Sequence, residues 1–118
     1  ANSVMKSFTT TDESATKLFV SMVQPASPKV GINDIEFTIH RKETMMSFPA
    51  DTTYTVEITP EMPSMGHGSP NNVNPTSTGN GHYKGKVNFT MTGEWKINVA
   101  VKKNGATVSN GLYYMVNF

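Results

Sequence analysis

The sequence predicts an all-β protein, an immunoglobulin-like antiparallel β-sandwich of about seven strands. Glycines and prolines interrupt the chain at short intervals, and the stretches between them are rich in Val, Ile, Thr, Tyr and Phe. In several of these stretches apolar and polar residues alternate, which is typical of a strand with one buried face. No segment shows a sustained helical period. Two packed sheets are the usual way to bury such half-apolar strands.

Four stretches show this alternation most clearly. Their apolar sets are Ile35, Phe37 and Ile39; Tyr54, Val56 and Ile58; Tyr83, Val87, Phe89 and Met91; and Trp95, Ile97, Val99 and Val101. Thr92-Gly93 and Asn104-Gly105 predict tight turns after the third and fourth sets. Further strands are expected over about residues 17–23 and within 111–118. Residues 1–12 are expected to be an edge strand or loose.

The composition predicts one domain over residues 1–118 and excludes several classes of function. The chain has 118 residues, of which ten are basic and nine acidic, so the net charge is +1. With charges so nearly balanced, we expect no basic surface that would bind nucleic acid or an anionic membrane. No run of about eighteen apolar residues predicts a transmembrane segment. The absence of cysteine removes disulfides, thiolate metal sites and cysteine nucleophiles.

A long polar connection is expected over residues 59–82, and connections of this length are often functional. It contains Met62, Met65 and His67, with His82 at its far end. Thioethers and imidazoles, without thiolate or carboxylate, suit Cu(I) better than Mg²⁺ or Ca²⁺. The short spacing allows a turn to bring the first three together. The sequence therefore predicts a copper site of Met62, Met65 and His67, with His82 as a conditional fourth ligand.

Other placements of the methionines stay open at this point. Met62 and Met65 can instead fold under the connection as apolar contacts, leaving the histidines exposed. Met91 has the parity of a core residue and is interpreted as packing. Met45-Met46 and His40 form a second group, at the opposite end of the sandwich from Met62 unless an extra short strand brings the two groups to one end.

An enzyme is not expected. No serine, histidine and aspartate stand in a recognisable nucleophile motif. Glu57 and Glu61 are interpreted as solvent-facing residues of a strand rather than as a catalytic pair. A sandwich that recognises glycans is a weaker alternative, because Trp95 and Tyr83 have the core parity and few aromatic platforms remain.

Five short segments between residues 28 and 105, about two-thirds of the 118 residues, carry a family resemblance. They are Lys29-Val30-Gly31-Ile32-Asn33, Met62-Pro63-Ser64-Met65-Gly66-His67, Gly81-His82-Tyr83-Lys84-Gly85, Phe89-Thr90-Met91-Thr92-Gly93 and Glu94-Trp95-Lys96-Ile97-Asn98-Val99. In this order they resemble the FixH/YtkA-like family of bacterial envelope domains. The family motif maps onto Met62, Pro63, Met65, Gly66 and His67, and then onto Gly81, Tyr83, Met91, Gly93 and Trp95.

The resemblance implies an immunoglobulin-like sandwich outside the cytoplasm, either periplasmic or at the cell surface. It also implies a link to the assembly of copper-containing oxidases or to metal handling and efflux. Unlike the FixH part of the family, this sequence has no transmembrane anchor, so a soluble or lipid-anchored envelope protein is expected. The predicted function is an accessory domain that binds Cu(I) for transfer to an envelope protein partner. The alternative is an interaction module that binds no metal.

Overall fold

The fold consists of β-strands arranged in two antiparallel sheets. A computed structural model describes residues 4–11, 17–25, 27–41, 54–79, 81–103, 105–109 and 111–118. The strands are β1 (Val4–Thr9), β2 (Lys17–Gln24), β3 (Gly31–Arg41), β4 (Thr55–Met62), β5 (His67–Gly68), β6 (Val73–Gly79), β7 (His82–Phe89), β8 (Glu94–Lys103), β9 (Ala106–Thr107) and β10 (Tyr113–Asn117). No helix occurs within these residues.

The strand order within each sheet defines the sandwich. The first sheet has the order β1-β2-β3-β7-β6, and the second has the order β10-β8-β4-β5, with β9 paired to β8. The prediction of an all-β antiparallel sandwich is therefore confirmed. Residues 1–12 are expected to be either an edge strand or loose. Within this segment the structure contains an edge strand, β1, which pairs with β2. The predicted turn at Asn104-Gly105 includes Asn104, which lies outside the described residues, but the flanking strands β8 and β9 pair as a hairpin requires.

The core lies between the inward faces of the two sheets. Along β4, β7 and β8 nearly every second side chain is buried, as the alternation predicts. The largest fully buried side chains include Trp95, Tyr83, Tyr114, Phe37 and Phe89. The rings of Phe89 and Trp95 lie 5.3 Å apart between centroids in a tilted arrangement, which is favourable for aromatic pairs. Since Trp95 and Tyr83 are inside, neither ring is available as a platform for a glycan.

Two buried phenols join the sheets. Tyr83 of β7 donates a hydrogen bond of 2.8 Å to the carbonyl of Tyr54, which immediately precedes β4 of the other sheet. Tyr114 of β10 donates a hydrogen bond of 2.7 Å to the carbonyl of Val20 in β2. Each bond satisfies a hydroxyl that would be costly to bury alone. Burial raises the pKa of the Tyr114 phenol. The pairing of the sheets is thus fixed by polar contacts as well as by apolar packing.

The expected long loop over residues 59–82 is wrong. β4 continues to the end of Met62, and the two strands β5 and β6 occupy much of the remaining segment. Pro75 lies in β6, where the register with β7 shifts between Val73 and Thr76. Proline has no amide hydrogen and is tolerated in sheets at edges and irregularities, so its presence does not prevent an edge strand.

Edge strand β6 is held against both sheets. The Oδ1 atom of Asn74 accepts a hydrogen bond of 3.0 Å from the amide of Ile58 in the second sheet. On β7, a Cβ atom at Gly85 would lie 2.4 Å from the carbonyl oxygen of Val73. Only glycine allows the two backbones to approach this closely. The segment that the sequence presents as a loop is therefore a strand that closes one side of the sandwich.

Truncation of Trp95 tests the position of the core. Trp95→Ala is expected to lower the free energy of unfolding by about 3 to 5 kcal/mol, because it removes a fully buried ring and leaves a cavity. Urea denaturation measures the change. Tyr113→Ala, which removes an aromatic ring that is 39% exposed, is the control and should cost about 1 kcal/mol or less. Equal losses for the two variants would contradict the placement.

The buried phenol of Tyr114 predicts a loss of stability at high pH. Because burial raises its pKa, the folded state keeps the proton above about pH 10, where the unfolded state loses it. Stability that is present below the unfolded pKa is therefore lost as the pH rises. Between about pH 8 and about pH 10.5, the parent should lose roughly 1 kcal/mol more than Tyr114→Phe. Denaturation at both pH values tests this, and parallel losses would contradict it.

Candidate functional site

The predicted Met62 to His67 segment forms a tight turn between two paired strands. Met62 ends β4, His67 begins β5, and these two residues are partners in the ladder. The amides of Met65 and Gly66 both donate to the carbonyl oxygen of Met62, at 3.0 and 2.9 Å. Gly66 has a φ of 67°, which favours glycine. The backbone therefore makes the turn that the spacing predicts, and both of its ends are fixed.

Met62 does not lie on the surface of this turn. Its side chain is 2% exposed and belongs to the hydrophobic core. The Cε atom of Met62 lies 2.7 Å from the position that a Cβ on Gly93 would take, so the thioether packs against the turn between β7 and β8. The prediction of Met62 as a ligand in an exposed site is not compatible with this placement. The alternation of β4 extends to Met62, which carries its side chain inward.

Met65 remains as the exposed thioether of the segment. Its side chain is 55% exposed at the tip of the turn, whereas large apolar side chains are generally buried. His67 follows two residues later, at the start of β5. Of the predicted ligands, Met65 and the backbone of His67 therefore lie in one turn, which the buried Met62 anchors.

Met91 belongs to the same end of the sandwich, and its interpretation as a core residue is wrong. β7 ends at Phe89, so the alternation stops before Met91, and its side chain is 39% exposed. The carbonyl of Met91 accepts a 2.9 Å hydrogen bond from the indole nitrogen of Trp95, which fixes the turn over residues 90–93. Since Gly93 of this turn touches Met62, the turns 62–67 and 90–93 are neighbours. We refer to these two turns together as the methionine end.

His82 lies far from the methionine end, so it cannot serve as a fourth ligand there. It begins β7, and Phe89 ends that strand seven residues later, a span of roughly 23 Å at 3.3 Å per residue. The hydrogen bond from Tyr83 to Tyr54 likewise places the start of β7 beside the start of β4 rather than beside its end. The Nδ1 atom of His82 instead lies 2.7 Å from the Oε2 atom of Glu36.

Only one member of the second predicted group, His40, lies in the part of the chain that the structure describes. Met45 and Met46 lie outside the described residues. His40 is in β3, two residues beyond Thr38, which pairs with His82. His40 and His82 therefore occupy the same region of the first sheet, opposite the methionine end.

Two ion pairs on the described surface place a carboxylate beside a lysine. Glu57 forms an ion pair of 3.0 Å with Lys102 on the outer side of the second sheet. Lys86 hydrogen-bonds Asp34 and holds the pKa of this carboxyl below its usual value. Among the described residues, no group of three or more histidine, aspartate and glutamate side chains is placed to hold a metal ion. A metal site at the methionine end would therefore depend on thioether donors.

Fold and turn geometry together define a small antiparallel sandwich that presents short, well-fixed turns at its ends. The chain belongs to the YtkA-like family, whose model matches residues 12–100. No curated protein and no solved structure matches the chain significantly. Within the part of the chain that the structure describes, no helix has the length and apolar character needed to cross a membrane. Membership of the family suggests an accessory domain of the envelope.

Two methionines of one turn should differ sharply in their effect on stability. Met62→Ala is expected to cost about 2 to 5 kcal/mol in the free energy of unfolding, because it empties a buried site. Met65→Ala should cost about 0.5 kcal/mol or less, since its side chain is largely in water. Urea denaturation of both variants makes the comparison within one residue type. Similar losses would show that Met65 is structural.

Proposed function

We propose that this domain is an accessory protein of the bacterial envelope, periplasmic or cell-surface, that binds Cu(I) at its methionine end. The supporting observation is the exposure of two thioethers, Met65 and Met91, on neighbouring turns that also include His67. Soft, uncharged donors of this kind are preferred by Cu(I). Met65 and His67 keep the role that the sequence predicts. Because Met62 is buried, Met91 replaces it as the second thioether donor.

The turns are fixed before any ligand arrives, which favours binding. Turn 62–67 is held by two hydrogen bonds to the carbonyl of Met62, whose side chain is locked in the core. Turn 90–93 is held by the indole of Trp95 and by Gly93, which exchanges hydrogen bonds of 2.9 and 3.2 Å with Phe118. Fixed turns lose little conformational entropy when their side chains bind an ion. An exposed site also permits transfer of the metal to a partner.

Competition with a chromogenic Cu(I) chelator tests the proposal. The parent should withdraw Cu(I) from the chelator, and the triple variant Met65→Leu, His67→Gln, Met91→Leu should bind at least about tenfold more weakly, because leucine keeps the apolar volume but removes the sulfur. Met5→Leu is the matched control. Met5 is 62% exposed on β1, in the row of residues that includes His82 at the other end of the sandwich.

Two outcomes would contradict copper binding at the methionine end. If the parent and the triple variant compete equally, the methionine end holds no copper. If Met5→Leu weakens binding as much as the triple variant, the loss reflects methionine content rather than this site.

The second candidate is an interaction module that binds an envelope protein without metal. The same exposed methionines favour it, because unbranched thioether side chains adapt to many apolar surfaces. Under this hypothesis, a Cu(I) chelator would leave partner association unchanged, and the leucine variants would retain much of it. Under the copper hypothesis, metal transfer to the partner would be abolished by the same variants.

A further inference from the structure

The outer face of the first sheet brings two histidines together. Glu36, Thr38 and His40 alternate along β3 with the inward-facing residues, and therefore share the outer face. Thr38 is the ladder partner of His82 on β7, so His82 lies on the same face. His40 is then the diagonal neighbour of His82, a relation in which Cα atoms are about 7 to 8 Å apart. Two imidazoles at this spacing can reach a common ion.

Glu36 orients one of these imidazoles. Its Oε2 atom is 2.7 Å from Nδ1 of His82, and the glutamate side chain is 16% exposed, whereas His82 is 45% exposed. Because an ionised carboxylate only accepts hydrogen bonds, Nδ1 carries the hydrogen in this contact. The Nε2 atom is consequently left for a ligand. A carboxylate that holds the second nitrogen of a histidine is the common supporting arrangement in metal sites.

A purely structural role explains this pair less well. Ion pairs with a half-exposed partner contribute little to stability. The largely buried carboxylate of Glu36 therefore serves to orient the imidazole of His82 rather than to stabilise the fold. Among the described residues no group of three or more histidine and carboxylate side chains is placed to hold a metal ion, so the two imidazoles alone are the candidate ligands. Glu36 touches Nδ1 of His82 and therefore supports that ring.

We propose that His82 and His40 bind a divalent cation of the zinc class, with Glu36 positioning His82. Imidazole is a preferred ligand of Zn²⁺, Cu²⁺ and Ni²⁺, in contrast to the soft thioethers of the methionine end. Two protein ligands leave the remaining coordination positions to water or to a partner, so the ion exchanges readily. The site lies at the start of β7 and is independent of the proposed function at the other end of the sandwich.

Titration with Zn²⁺ alone, followed by calorimetry, tests this site. The parent should bind one equivalent, and His82→Gln or His40→Gln should each weaken binding at least about tenfold. Glu36→Ala should weaken it by about 10-fold to 100-fold, the usual effect of losing a supporting hydrogen bond. Glu36→Gln should restore most of the affinity, because its amide oxygen still accepts from Nδ1. A merely structural glutamate would not give this rescue pattern.

The matched control is Glu57→Gln, which removes a carboxylate on the outer side of the second sheet and should leave Zn²⁺ binding unchanged. Absence of Zn²⁺ binding by the parent would overturn the proposal. So would full affinity in His82→Gln, or loss of affinity in Glu57→Gln. Since the Cu(I) experiment uses different variants and a different ion, failure of either proposal is recognised separately.

Discussion

The candidate site depends on the alternation of buried and exposed side chains along β4. Its inward-facing residues are buried from Val56 to Met62, and β8 fixes the register of the strand along nearly its whole length. A strand paired in this way cannot turn a single side chain outward without a bulge. Met62 is therefore committed to the core. The turn that follows starts from a fixed point, and its tip presents Met65 to solvent.

The two sheets are held together strongly enough that the ends of the sandwich act as separate surfaces. The phenols of Tyr83 and Tyr114 cross the core in opposite directions, one from each sheet. With the apolar faces packed between them, the strands behave as rigid spacers. Groups at the start of β7 and groups at its end therefore cannot meet. The exposed thioethers of Met65 and Met91 and the imidazoles of His40 and His82 therefore lie at opposite ends, so the two proposed metal sites are independent of each other.

Much of the architecture could be predicted from the sequence, because alternation reports burial directly. The inward faces of β3, β7 and β8 and the core positions of Trp95 and Tyr83 are examples. The failures have identifiable physical causes. β6 has a proline, a bulged register and few apolar residues, and as an edge strand it needs no alternating pattern. The sequence pattern wrongly predicts Met91 in the core because the alternation is extended past Phe89, whereas β7 ends there and the chain turns.

The candidate site was harder to predict than the fold, because nearness in sequence does not determine nearness in space. Met62 is adjacent to the turn, yet the pleat directs it inward. His82 stands at the end of the same polar segment, yet β6 carries the chain back along the first sheet before β7 begins. The relation between His40 and His82 requires the β3 to β7 register, which no local pattern reveals.

The motif from Met62 to His67 therefore combines structural and exposed parts. Met62 packs against Gly93 and Gly66 provides the backbone conformation, so these two positions are explained by the formation of the turn itself. Stability gives no comparable reason for an exposed Met65, since a solvated thioether contributes little packing. Any binding function of the motif must then depend on what the turn presents rather than on what anchors it. This separation is why the proposed copper site uses the sulfur of Met65 and not that of Met62.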